Sequence, residues 1–166
     1  MSFLDLAAKR SSIRGYQNKP IEDEKLKQIL EAARLAPTGA NRQMFQLIVV
    51  HTAGREEELK AVYNRDWFVQ APVFICACAT VAEGQTFREE SARNVYIVVD
   101  HLVMAATDLG ISTCWIGAFD RDAARRVLGI PENAHPIICV ALGYGAAEPR
   151  PKVRKPLEEL VRYEHW

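Results

Sequence analysis

The sequence predicts one mixed domain in which buried β-strands alternate with amphipathic helices. Three observations carry this expectation. Continuous apolar, β-branched runs at 46–51, 73–79 and 135–142 have the character of strands covered on both faces. Between them, 21–36 and 91–109 repeat apolar residues at helical spacing. The chain has 166 residues, 49% of them apolar, enough for one core and few for two, so 1–166 is read as a single domain.

Taken in order, Ser2 and Asp5 form a capping-box start for a short helix reaching Lys9, with Phe3, Leu4, Leu6 and Ala7 on its apolar face. Gln17-Asn18-Lys19-Pro20 reads as a loop, and the helix over 21–36 opens with Glu22, Asp23 and Glu24 in its first turn. Pro37 stops that helix. After the strand at 46–51, residues 54–63 read as a helix led by the solvated acids Glu56, Glu57 and Glu58, and a second strand follows Ala71-Pro72. Residues 81–88 form a short polar connection. The helix over 91–109 is apolar around much of its circumference, which requires burial on more than one side and predicts a homodimer organised on it. Gly110 ends it, 111–119 is a strand opening into a loop, Asp120 caps a helix over 123–128, and Gly129 closes that helix. The strand from His135 exits through Gly143-Tyr144-Gly145. The proline-punctuated tail 149–156 is extended, and the alternation of 160–164 suits a last strand.

Composition excludes several classes of function. Lys plus Arg equals Asp plus Glu at 21 each, so no global basic field exists to hold nucleic acid or an anionic membrane. No apolar run reaches the length of a membrane span, and Met1-Ser2-Phe3-Leu4-Asp5 lacks the pattern of a secretory signal. A cytoplasmic location is expected. Cys76, Cys78, Cys114 and Cys139 all lie in apolar runs, as free buried thiols do. Cys76 and Cys78 share a strand face, but no second pair or nearby histidine completes a ligand set, so no metal is expected. His51, His101, His135 and His165 are scattered, and none pairs with a serine or cysteine as a nucleophile would require.

Three stretches carry candidate chemistry. Lys9-Arg10-Ser11-Ser12-Ile13-Arg14 offers two guanidiniums and two hydroxyls within five residues, which fits either a solvated loop or the grip on one anion. Ala36-Pro37-Thr38-Gly39-Ala40-Asn41-Arg42-Gln43 combines turn formers with amides that both donate and accept, suited to the edge of a heterocycle or to an ordinary helix-to-strand connection. Lys152 and Arg154 stand at alternate positions of an extended tail and reach the same side. The chain has neither a P-loop nor a Rossmann fingerprint.

Together with Leu109-Gly110-Ile111-Ser112-Thr113-Cys114-Trp115-Ile116-Gly117 and Lys152-Val153-Arg154-Lys155-Pro156-Leu157-Glu158-Glu159-Leu160, these stretches make the chain resemble the FMN-dependent nitroreductase family nearly end to end, in its short form. The resemblance implies an α+β three-layer sandwich with a central, mainly antiparallel sheet, forming an intertwined homodimer that holds two FMN molecules at its interface. It assigns Arg10, Ser11, Ser12, Lys152 and Arg154 to the phosphate and ribityl chain, and Arg14 to the N1 and C2-carbonyl edge, where positive charge favours reduction. Pro37, Thr38, Gly39, Asn41 and Gln43 would reach the flavin from the partner. Trp115, Ile116 and Gly117 would pass beside the ring, with a backbone N–H near N5. The last strand would join the partner's sheet.

The implied activity is a flavoprotein oxidoreductase. NADH or NADPH reduces bound FMN, leaves, and is replaced by a nitroaromatic, a quinone or a similar flat small-molecule acceptor. No side chain is assigned as an acid or base. The alternatives are the same fold with dehalogenating or dehydrogenating chemistry, and a non-catalytic FMN-binding or sensing protein. Met44-Phe45 stand where the family commonly has Pro-Trp, and the stretch from Cys78 to the long helix is short. Both predict an altered pocket wall and a reduced lid.

Overall fold

Helix formation begins where the sequence caps it. In the computed structural model, which describes residues 2–82, 84–87 and 89–166, Ser2 caps α1 (Phe3–Lys9). Asp5 N donates to Ser2 Oγ at 3.1 Å, and Ser2 N donates to the Asp5 carboxylate at 2.9 Å. The second helix, α2 (Asp23–Arg34), ends before Pro37, and a 3-10 turn (Gly39–Asn41) leads to β1 (Phe45–His51). Two short helices, α3 (Glu56–Leu59) and α4 (Asp66–Gln70), precede β2 (Val73–Thr80). Then come α5 (Glu89–Asp108), β3 (Ser112–Ile116), α6 (Arg121–Leu128), β4 (Ala134–Gly143) and α7 (Leu157–Leu160).

The four strands form one sheet ordered β1-β2-β4-β3, antiparallel throughout. Its two faces carry separate cores, as the period of two along β2 requires. Val73, Ile75, Ala77 and Ala79 pack with Leu26, Ile29, Val95, Val99 and Leu102 of α2 and α5. Phe74, Cys76 and Cys78 pack with Leu59, Phe68 and Ala124 of α3, α4 and α6. The result is an α+β sandwich of three layers, and the central strands are buried on both sides, as their unbroken apolar runs predict. Gly143 lets the Tyr16 ring close on β4: a Cβ there would stand 2.6 Å from Pro72 Cδ and 2.9 Å from Tyr16 Cδ1.

The structure corrects two sequence expectations and adds an element. The helix expected over 54–63 is a single turn, after which Ala61 N and Val62 N bond three residues back rather than four. This tighter winding puts both Leu59 and Val62 in the core. The aromatic stretch before Ala71, to which the sequence assigned no element, is α4. The strand expected at 160–164 is absent from the ladders of this chain: 157–160 form a helical turn, and Val161 is extended without a strand partner. A strand needs a ladder, and this one has none within its own chain. Of the connection expected at 81–88, Glu83 and Arg88 lie outside the described residues.

Several apolar surfaces are left open. No residue of α1 is buried, and Phe3 and Leu4 are 69% and 79% exposed. On α5, Val95, Val98, Val99 and Leu102 face the core while Tyr96 and Ile97 face outward. The tail from Glu148 to Leu160 is exposed throughout.

Candidate functional site

The site begins at the outer edge of β3. Ser12 bridges to Thr113, Ile13 N donates to Thr113 O at 3.0 Å, and Tyr16 bridges to Gly145. The Tyr16 hydroxyl, buried, reaches Ile13 O at 2.9 Å and Ala141 O at 3.3 Å, and burial raises its pKa far above the usual phenol range. Residues 10–16 therefore lie along the sheet edge like a short extra strand. In extended backbone alternate residues share a side. Ile13 enters the core, which turns Arg10, Ser12 and Arg14 together to the other side. The Arg10 guanidinium donates to Ser12 Oγ at 3.5 Å. The Cys114 thiol lies beside all three: burial pushes its pKa up, and Arg14, a hydrogen bond from Ser12 and Arg10 oppose that. Ser11 is out of phase, with its hydroxyl directed to Lys9 O at 3.5 Å.

The tail completes this cluster. Lys152 Nζ donates to Ala7 O at 3.1 Å and also to Ala8 O, the last carbonyls of α1. Cations are favoured there by the helix dipole. Desolvation, then the nearby charges of Arg10 and Arg154, hold the Lys152 pKa below the ordinary lysine range. Among the described residues none of Arg10, Arg14, Lys152 and Arg154 is ion-paired with a carboxylate. In a chain of zero net charge, this is a local concentration of positive charge with hydroxyl and guanidinium donors and no counter-anion. Its chemistry fits a phosphate monoester.

Further along the same edge, β3 exits through Trp115, Ile116 and Gly117. Trp115 stacks on Tyr96 of α5 with centroids 6.3 Å apart and planes 8° apart. Gly117 is exposed, with nothing within 4 Å of where a Cβ would stand, so a flat ligand could lie directly against its backbone.

The amide-bearing loop is elsewhere. Asn41, Ala40 and Gln43 all have positive φ, at 51°, 50° and 53°. Such a run of non-glycine residues is costly, at about 1–3 kcal/mol each, and persists only where surroundings fix it. Here Gln43 N donates to Thr38 Oγ1 at 3.0 Å, and Gly39 N donates to Asn94 Oδ1 of α5 at 2.9 Å. Pro37, Gly39, Asn41 and Gln43 are exposed. The loop enters β1 opposite Ala79, in the row of His135, whereas Ser12 lies in the row of Thr113 and Leu142 at the opposite edge. Seven residues along β4 and four strand spacings separate the two, roughly 30 Å corner to corner. One protomer thus brings Arg10, Ser12, Arg14, Lys152 and Arg154 near one another, carries Trp115, Ile116 and Gly117 further along the same edge, and leaves Pro37, Thr38, Gly39, Asn41 and Gln43 apart.

Sequence reasoning missed Asn94, Tyr96, Tyr16 and Cys114 as neighbours of the site. Only Asn94 left a trace, as an amide inside an otherwise apolar helical run. Cys76 Sγ and Cys78 Sγ are 4.0 Å apart, the pKa of each thiol is raised, and no group of three or more His, Cys, Asp or Glu among the described residues is placed to hold a metal. Among the described residues no helix is long and apolar enough to cross a membrane.

The structure is an antiparallel α+β sandwich with a cation cluster along one sheet edge and a detached amide loop at the other. The Nitroreductase family sequence profile matches residues 7–65 and 52–144. A nitroreductase family protein from Clostridium difficile superposes with a TM-score of 0.88 at 35% identity, covering 100% of both chains. An NADH dehydrogenase of Thermus thermophilus is 29% identical, aligned over 93% of this chain and 92% of its own. An FMN reductase [NAD(P)H] of Bacillus subtilis is 27% identical over 93% of this chain and 70% of its own. The chain belongs to the nitroreductase family.

Proposed function

We propose that this protein is an FMN-dependent oxidoreductase that takes electrons from NADH or NADPH and reduces a flat conjugated acceptor, such as a nitroaromatic or a quinone, as a cytoplasmic homodimer. The observation that carries this reading is the cation cluster in which Arg10 links Ser12 and Arg14 to Lys152 and Arg154, with no ion-paired carboxylate among the described residues, on the edge of the strand that exits at the open backbone of Gly117. The names of two relatives, an NADH dehydrogenase and an FMN reductase, agree with it.

FMN, when bound, would supply the redox chemistry between the nicotinamide and the acceptor. The chain supplies position and charge. Arg10, Ser12, Lys152 and Arg154 hold the phosphate and ribityl chain, with Ser11 contributing at most its backbone. Arg14 places positive charge where reduction adds negative charge. Trp115, Ile116 and Gly117 border the ring, with a backbone N–H in place of a side-chain donor.

Two chains are needed because neither end of the sheet suffices. Pro37, Thr38, Gly39, Asn41 and Gln43 sit at the far corner of their own protomer and serve the partner's flavin. The open faces of α1 and α5, with Phe3, Leu4 and Ile97, supply apolar surface for that association, and the exposed tail finds on the partner the strand pairing it lacks at home. Four buried free thiols suit a reducing cytoplasm. Residues 1–166 act as a single FMN-binding domain.

The test is the visible spectrum of the purified protein, before and after anaerobic addition of NADH or NADPH. Flavin absorbance that bleaches on addition and returns with a quinone is expected. A protein that binds FMN and keeps its oxidised colour is a flavin-binding protein without reductase activity, and one that binds no FMN refutes the cofactor assignment.

A further inference from the structure

A cavity of about 600 Å³ opens between the first turns of α5, the start of β4 and the start of α6. Its walls are aromatic. The Phe87 ring lies against His135 with centroids 4.4 Å apart, and Tyr96, backed by Trp115, forms another wall. Among the described residues, Arg93, Arg121 and Arg125 line it together with two carboxylates, Glu89 and Asp122. Among the described residues no ion pair joins these five groups to one another or to anything else.

The three guanidiniums differ in what they can do. Arg125 donates to the carbonyls of Ile130, Pro131 and Ala134, neutral partners that fix the side chain without cancelling its charge. Burial first, and then the nearby Arg125 charge, hold the His135 pKa below the ordinary value. Arg121, its guanidinium 5.3 Å from the Phe119 ring centroid, donates Nε to Pro136 O at 3.2 Å, and among the described residues its two outer nitrogens make no hydrogen bond, which leaves them for a bidentate contact. Arg93 makes no hydrogen bond to a described side chain. A cavity lined by aromatic rings and guanidiniums suits a planar ring bearing a carboxylate. Tyr96 of the cavity wall stacks on Trp115, and Arg121 is four residues beyond Gly117, within about 14 Å along the chain, so the cavity lies near the exit of β3.

We propose that this cavity is the specificity pocket for the electron acceptor and takes an aromatic carboxylate, with Arg121 and Arg93 holding the carboxylate and Tyr96 and Phe87 flanking the ring. This rests on the oxidoreductase reading above and names the substrate class it serves.

Calorimetric titration of the FMN-loaded protein with benzoate and with its neutral counterpart benzamide tests the proposal. Benzoate should bind at least about tenfold more tightly than benzamide, and Arg121→Gln and Arg93→Gln should each remove most of that preference. Equal binding of the two probes, no binding of either, or a preference undiminished in both variants overturns the proposal. The flavin spectrum of the same wild-type sample reports the cofactor reading separately: a colourless protein that still prefers benzoate refutes that reading and leaves the pocket standing.

Discussion

Replacing Lys152 with methionine separates a cofactor ligand from a structural cation. Lys152 caps the last carbonyls of α1 and sits beside Arg10 and Arg154 with no carboxylate near. As a structural cation it contributes about 0.3–1 kcal/mol through the helix terminus, and the repulsion it relieves on removal offsets part of that. Melting of the apo protein should therefore fall by no more than about 4 °C. As a phosphate ligand, the same side chain makes a charge-assisted hydrogen bond worth about 1.5–3 kcal/mol, and its loss weakens FMN binding by roughly 10- to 150-fold.

The pH dependence has a defined sign. In the cofactor-free protein the Lys152 pKa is depressed, so over that window the unfolded chain binds more protons and apo stability rises with pH. A bound phosphate favours the ammonium and raises the pKa, so FMN affinity is full at neutral pH and falls as pH rises toward about 10. Lys152→Met should flatten that fall. Fluorescence titration of FMN at several pH values, with calorimetric melting of the apo forms, measures both arms. An affinity changed less than threefold while melting drops by 10 °C would refute the reasoning.

Arg14→Ala should lower the reduction potential of the bound flavin by about 20–80 mV, since one charge near 4 Å contributes about 1–4 kcal/mol between dielectric limits and 30 mV is about 1.4 kcal/mol for two electrons; an unmoved potential in a dye-equilibration titration returns Arg14 to the role of surface charge. Ile97→Arg, on the open face of α5, should give monomers in sedimentation that no longer retain FMN, and a monomer of undiminished FMN affinity would show that one chain suffices. Gly145→Ala brings a Cβ to 2.7 Å from Ser112 Oγ and should lower stability by about 1–3 kcal/mol. Adding Ser112→Ala, which leaves contacts no closer than 3.4 Å, should restore most of the melting temperature.

The elements whose signals are local and periodic were legible from the sequence. Ser2 and Asp5, Asp120, and Gly129 at φ 65° bound their helices as expected, because capping depends on residues within one turn. The unbroken apolar run of β2 already required cover on both faces. Local reading failed where a distant partner decides the outcome. The turn at 56–59 is shortened because Leu59 and Val62 must both reach a core built by Phe68, Phe74 and Ala124. Residues 160–164 have strand alternation but no ladder in their own chain.

The amino-acid sequence by itself determined the chemistry available to this protein: which residues carry fixed positive charge, which loop carries amides, and which helices and strands are apolar enough to pack. Only the tertiary structure decided which of these meet. Arg10 and Lys152 are 142 positions apart in the chain, and it is the last turn of α1 that brings them together. The Pro37–Gln43 loop is far nearer to Arg14 in sequence, yet the strand order β1-β2-β4-β3 carries it to the opposite corner of the sheet. Proximity along a chain follows from bonds, whereas proximity in space follows from how buried faces close on one another, and strand order is set by that closure.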